Sequence, residues 1–287
     1  MRRTKIVATL GPATSAPDTL REIMRAGLDV ARLNFSHGSA AEMRERVSTL
    51  RRVAAEEGRY IALLGDLQGP KIRIRRFQNG SETLVRGASF FLDPDLDDDA
   101  GTDAGVGIAY DRLAADVVPG DVLLLNDGHI ELEVTEVEGN RVHTRVLIGG
   151  VLSDYKGINR RGGGLSAPAL TDKDRADIRM AAELGLDYLA VSFVRSADDI
   201  EEARRLFREA GGDGLMVAKI ERTEAVAEIE SIIDASDVVM VARGDLGVEV
   251  GFAGLTGLQK RIIAMTRQRN RIAITATQMM ESMIASA

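Results

Sequence analysis

The chain has 287 residues, 45% of them hydrophobic, which is enough apolar material for a large buried core in one or two domains. Acidic residues outnumber basic ones 44 to 37, and the formal charge of −7 excludes a protein that coats nucleic acid by bulk charge. No apolar run reaches the roughly 20 residues of a membrane span, the absence of cysteine excludes disulfides and thiolate chemistry, and three histidines are too few for a histidine-rich zinc site.

Met1-Arg-Arg-Thr-Lys-Ile runs straight into strand-like sequence and has no signal-peptide core, so a soluble, cytoplasmic enzyme is expected. From there one pattern repeats: a short apolar run, a polar turn, then an amphipathic helix. Strands are expected at Lys5–Leu10, Asp29–Phe35 and Tyr60–Leu67, and later at Asp187–Val194, Leu215–Glu221, Val238–Asp245 and Arg271–Gln278. Each is short and rich in Val, Ile, Leu and Ala, as strands buried on both faces are. Ser39-x-x-Glu42 reads as a capping box ahead of Met43, Val47, Leu50 and Ala54 on one helical face. Thr171-x-x-Asp174 and Ser196-x-x-Asp199 are weaker forms of the same start, and Gly27, Gly58, Gly185 and Gly211 fall where helices should stop. Strand starts about 23–33 residues apart give the βα repeat of a parallel sheet or barrel.

Between Ile72 and Arg161 the texture changes to alternating polar and apolar residues, as in Val122–Leu125, Ile130–Val134 and Val142–Ile148. Turn signals stand at Pro119-Gly120, Asn126-Asp127-Gly128 and Gly139-Asn140. A small β domain over 71–161, inserted into a barrel domain made of 1–70 and 162–287, is therefore expected, with Pro70 and Gly162-Gly163-Gly164 as hinges. An insertion after a barrel strand projects from the catalytic face, where it serves as a lid. Seven strands do not close a (β/α)8 barrel, so the expectation is a barrel truncated before its eighth unit.

The expected strand ends carry unusual polar residues: Arg32-Leu-Asn34-Phe-Ser36-His37, Asp66-Leu-Gln-Gly-Pro-Lys71-Ile-Arg73, Lys219-Ile-Glu221, Arg243-Gly244-Asp245 and Thr275-Ala-Thr277. Lys219 and Glu221, two apart, share one face of their strand. A structural ion pair gives that pattern, and so does an active site. With Asp245 as a second carboxylate the set suits Mg2+ shared with a phosphorylated or carboxylated substrate, because Mg2+ takes few protein oxygens. Gly244-Asp245 would offer backbone N–H groups to an anion at a helix start.

Seven runs in order resemble pyruvate kinase: Thr4–Pro12, Arg32–Gly38, Gly65–Arg73, Lys156-Gly-Ile-Asn159, Lys219-Ile-Glu221, Ala242–Gly247 and Thr275–Met283. The resemblance covers the whole chain and implies a TIM barrel with a small β-barrel lid, moving a phosphoryl group from phosphoenolpyruvate to ADP. It also implies a homotetrameric full-length form. Glu221 and Asp245 match the ligands of Mg2+ or Mn2+, and Lys219 the residue that stabilises the transferring group. Arg32, Gly244 and Thr277 match substrate contacts, with Thr277 near the carbon that receives the proton. Asn34, Ser36, His37, Arg73 and Lys156 match the nucleotide side, Lys156 arriving as the lid closes. The monovalent-cation region matches Asn34, Ser36 and Asp66. There this chain departs from the family, with Leu67 for a usual threonine and Lys71 for the glutamate of potassium-dependent members. A tethered ammonium in place of K+ makes a K+ requirement unexpected.

A metal-dependent lyase or aldolase acting on pyruvate-like acids shares the acid-plus-arginine pattern, and a fragment of the kinase that is inactive is the third reading. Other features read as structural. The acidic run Asp93–Asp99 lacks the Gly and closing Glu of a calcium loop and is expected to be a solvated loop. Arg243-Gly-Asp245 is expected at a buried strand end, His129 and His143 at the surface or in turns, and Met279, Met280 and Met283 in a core.

Overall fold

The structure is a computed structural model and describes residues 3–277 and 279. Strands β1 (Val7–Thr9), β2 (Val30–Asn34) and β3 (Ala62–Asp66) come first in the chain. The middle then contributes β4 (Ser81–Leu84), β5 (Ser89–Asp93), β6 (Gly105–Gly107), β7 (Val122–Leu125), β8 (Ile130–Glu138), β9 (Arg141–Ile148), β10 (Gly150–Ser153) and β11 (Ile158–Arg160). The pattern of short apolar strands returns with β12 (Tyr188–Val191), β13 (Leu215–Ile220), β14 (Val238–Val241) and β15 (Ile272–Thr275).

The seven short strands outside the middle region form one sheet in the order β1-β2-β3-β12-β13-β14-β15, parallel throughout, and its edge strands β1 and β15 are only half-buried. Each crossover except the one carrying the insertion and a helix runs through helix alone, which is the alternation of a (β/α) barrel. Alternation along the strands separates two apolar layers. Leu64, Ala190, Val217, Val238 and Met240 pack on the concave side. Leu63, Leu189, Val191, Met216 and Ala218 pack outward against Leu50, Ile178, Ile200 and Phe207 of the helices. No helix among the described residues is long and apolar enough to cross a membrane.

The helix starts follow from local chemistry. Glu42, Asp174 and Asp199 each accept from the backbone N–H three residues earlier, at Ser39 (2.6 Å), Thr171 (2.8 Å) and Ser196 (3.2 Å). Gly27 closes the Pro17–Ala26 helix with φ 113°. The strands are shorter than the apolar runs suggest, because the runs continue past the last ladder pair into strand-end loops. One boundary is wrong in kind: the sixth run was expected to stay extended to Asp245, but β14 stops at Val241 and Arg243–Val250 is a helix. Leu246, Val248 and Glu249 are buried, and the apolar run with two glycines hides the helical period. The Arg243-Gly-Asp245 tripeptide therefore lies in a helical first turn. Gln278, at the end of the seventh expected strand, and Met280–Met283 lie outside the described residues; Met279 is 51% exposed and packs no core.

The middle region forms a six-stranded sheet, β11-β7-β8-β9-β5-β6, beside a β4–β10 ladder. Bridges Arg73–Gly157 and Ile74–Ile108 place the entering chain between the two ends of that sheet, which closes it into a small barrel. Its core includes Ile74, Phe90, Leu132 and Val146, and extends to Leu165 and Ala167 on the returning chain. Asn126 and Asp127, at φ 51° and 56°, make the expected tight turn between β7 and β8. Gly162, Gly163 and Gly164 hold φ of 80°, 81° and 98°, three successive left-handed residues that only glycine accepts without strain. In the acidic run Asp95, Asp97, Asp98 and Asp99 are exposed, as expected of a solvated loop, and Asp93 alone is buried. Asp93 is 6% exposed and paired with Arg141 at 2.8 Å, and Asp95 accepts from the Asn140 amide. His143 lies on β9 beside Glu138, and His129 in the turn before β8.

Candidate functional site

The carboxyl ends of β2, β3, β12 and β13, together with the first turn of the Arg243–Val250 helix, converge on two adjoining cavities. One, of about 250 Å3, is lined by Thr9, Arg32, Lys219, Glu221, Gly244 and Thr277 among others. The second, of about 170 Å3, is lined by Asn34, Ser36, His37, Asp66, Lys71 and Arg73. Arg32, Lys219, Glu221 and Asp245 border both. Lys156 lines neither; its carbonyl accepts from Ile74 N, and the neighbouring Tyr155 carbonyl accepts from Arg73 Nη1 at 2.9 Å.

A chain of ion pairs runs across the floor. Asp66, 1% exposed at the end of β3, takes both Nε (2.6 Å) and Nη2 (2.5 Å) of Arg32. Its other oxygen lies 3.1 Å from Lys219 Nζ, and the same amine is 3.0 Å from Glu221 Oε1. Asp245 is held by Lys71, Nζ to Oδ1 3.0 Å. Three cations thus face three carboxylates. Asp66, which the resemblance puts in a monovalent-cation region, joins Arg32 to Lys219 and lines the same cavity as Asn34 and Ser36.

Burial works against the Lys219 ammonium, but the charges of Glu221 and Asp66 outweigh it and hold the amine protonated, above the usual lysine range. Glu221 is pushed up from the usual carboxylate range, first by burial and then by Asp245 and Asp66; Lys219 and the Phe193 amide pull the other way. A buried carboxylate that resists its own charge is one that a further cation would relieve. Glu221 and Asp245 are hard oxygen donors facing one cavity, a set that fits a divalent cation completed by substrate and water. Among the described residues no group of three or more acidic or histidine side chains gathers as a metal cluster.

Two residues that hold this arrangement were missed in the sequence. Ser192, just past β12, accepts from Lys219 Nζ (2.6 Å) and donates to the Leu67 carbonyl (2.7 Å). Phe193 donates its backbone N–H to Glu221 Oε2 (2.7 Å) from a left-handed conformation, φ 55°. Gly69, at φ 66°, makes room for both: a Cβ there would stand 2.8 Å from the Phe193 ring and 2.9 Å from Ser192 Cβ. Ser192 could have been found as a polar residue ending an apolar strand, whereas Phe193 acts through its backbone and leaves no side-chain signal. Glu249, one helical turn beyond Asp245 and 6% exposed, was also passed over.

Residues 1–287 match a family described as pyruvate kinase, barrel domain. A protein named pyruvate kinase II from Salmonella typhimurium is 56% identical over 289 residues, covering 100% of this chain. Pyruvate kinases from Buchnera aphidicola subsp. Acyrthosiphon pisum and from Haemophilus influenzae are 53% and 52% identical over the same coverage. The chain spans 60% of the length of each of these three relatives.

Proposed function

Because the chain belongs to the pyruvate kinase family, we propose that its paired cavities transfer the phosphoryl group of phosphoenolpyruvate to ADP and then protonate the enolate to pyruvate. The observation that carries this reading is the Arg32–Asp66–Lys219–Glu221 chain with Asp245 beside it, open to space on both sides. In phosphoryl transfer there is little covalent work for the protein; catalysis is positioning plus charge where negative charge shifts. Lys219 is the point charge for the transferring group, kept protonated by its two carboxylates and aimed by Ser192. Arg32 shares the cavity as the second cation. Gly244, in the first helical turn, offers a backbone N–H that no helical carbonyl can take, suited to the substrate carboxylate.

Thr277 lines the same cavity as Lys219, which supports its reading as the residue near the carbon that receives the proton. Asn34, Ser36, His37 and Arg73 form the nucleotide side in the adjoining cavity, and Lys156 joins them only with lid movement. Glu221 and Asp245 would hold the divalent cation, Mg2+ or Mn2+, which when bound neutralises phosphate and carboxylate charge. The test is incubation of the chain with Mg2+ and either phosphoenolpyruvate and ADP or a longer 4-hydroxy-2-oxo acid, followed by 31P and 1H NMR. Equal amounts of ATP and pyruvate, with none when ADP is omitted, are expected. Pyruvate released without ADP, by cleavage of a carbon–carbon bond in a longer oxo acid, would replace this reading with the lyase.

The same reading includes independence from K+. Lys71 borders the cavity of Asn34, Ser36 and Asp66, the Asp66 carboxylate is already shared by two cations, and Leu67 is buried without a side-chain oxygen to give. Replacing tetramethylammonium with K+ should change the steady-state rate less than about twofold, a difference of under ~0.5 kcal/mol in barrier. A strong activation would overturn this part alone.

A further inference from the structure

Both chain crossings into the lid end on one short helix. On the entering side Lys71 reaches Asp245 at 3.0 Å. On the returning side Asn159, in β11, donates its Nδ2 to Glu249 Oε1 at 3.1 Å, and Gly162 N donates to the Glu249 carbonyl at 3.3 Å. Asp245 and Glu249 are four apart on the Arg243–Val250 helix, so they share a face. The second Glu249 oxygen takes the Thr223 N–H at 2.9 Å, next to the segment that carries Glu221. Glu224 takes the N–H of hinge residue Gly164 at 2.7 Å, and the Arg222 guanidinium binds the Leu165 carbonyl. Lys71, Ile72, Asn159, Leu165, Asp245 and Glu249 line a partly open cavity of about 20 Å3, so little free space separates the two crossings from this helix.

We infer that Glu249 is a positioning residue: it ties the lid's return strand to the helix that carries Asp245, so that lid position sets the geometry of the divalent-cation pair. This rests on the reading of Glu221 and Asp245 as cation ligands. Eight residues of helix move nearly as a rigid body, so a pull on its last turn is felt in its first. The link is neither a lid closure nor a ligand in itself but the connection between them.

The absence of cysteine makes the test direct. Val118→Cys, 61% exposed on the lid, and Glu45→Cys, exposed on a barrel helix, accept spin labels for a lid-to-barrel distance distribution. Affinity for Mn2+ alone is read separately, from the free-ion electron paramagnetic resonance signal of unlabelled protein. Asn159→Asp sets a second carboxylate against Glu249 and should broaden the distances and weaken Mn2+ binding about tenfold. Adding Glu249→Gln should restore both, since the glutamine oxygen still accepts from Thr223 while its amide donates to the new aspartate. Asn159→Ala, which deletes the bond without adding charge, moves both readouts the same way by a smaller step and serves if Asn159→Asp does not fold. Broadened distances with unchanged Mn2+ affinity, or no restoration by Glu249→Gln, would overturn the link. Asp245→Asn separates the two readings: if it leaves Mn2+ affinity unchanged, the cation site itself is misassigned, and the link falls with it.

Discussion

Replacing Lys219 by methionine is expected to slow ADP-dependent pyruvate formation about a thousandfold, the scale on which removing a fixed charge from a phosphoryl-transfer or oxyanion site acts. The loss should fall on kcat, with KM changed only severalfold, because in the proposed reaction the ammonium is matched to charge that develops as the phosphoryl group moves. Methionine keeps the length and apolar stem of a side chain that is 12% exposed, so packing against the strand is retained. Asp66 keeps Arg32 as its partner and Glu221 keeps the Phe193 amide, so neither carboxylate is left without a donor. Divalent-cation affinity should hold or rise, since a competing cation 3.0 Å from Glu221 has gone. Stopped-flow turnover beside Mn2+ titration checks both halves. A fall of less than tenfold in kcat would remove Lys219 from the reaction.

Asp66→Asn is expected to cost about 3 kcal/mol of stability, the lower end of what breaking a buried ion pair costs. The carboxylate is 1% exposed and accepts from two nitrogens of Arg32 and from Lys219. Asparagine keeps the shape but turns its NH2 group toward one of the two cations and offers the other only a neutral oxygen, which leaves both with less charge to face. For a chain of this size the melting temperature should drop by about 6–12 °C. Asp18→Asn is the matched control, because that partner of Arg21 is 94% exposed and a pair in water is worth little. Its melting curve should overlay the wild type. Equal curves for both variants would show that the floor of ion pairs bears no share of stability.

How much of this was legible depended on whether the deciding interaction was local. The capping boxes at Ser39, Thr171 and Ser196 could be read because donor and acceptor lie three residues apart. The parallel sheet could be read because buried strands are written as uninterrupted apolar runs at a βα spacing. The strand ends could not, since a ladder stops where its neighbour stops, and nothing in one strand records that. Asp245 was placed on an extended segment for this reason: Leu246-Gly-Val-Glu-Val250 continues the apolar texture while the chain turns helical. Lys219, Glu221 and Arg32 stood out because charge on a buried strand is costly and so carries information. Ser192 and Phe193 did not, one being small and ordinary and the other contributing only an amide. Glu249 looked like any surface acid, and its burial depends on the lid, some ninety residues away along the chain.

A phenylalanine held left-handed stores on the order of 1–3 kcal/mol of backbone strain, and a glycine at position 193 would release it. The exchange would still destabilise the chain, because the ring is only 8% exposed and deleting it costs about 3–5 kcal/mol, more than the strain it relieves. Burial of that ring thus sustains an unfavourable backbone turn, and the same turn aims the amide at the Glu221 carboxylate.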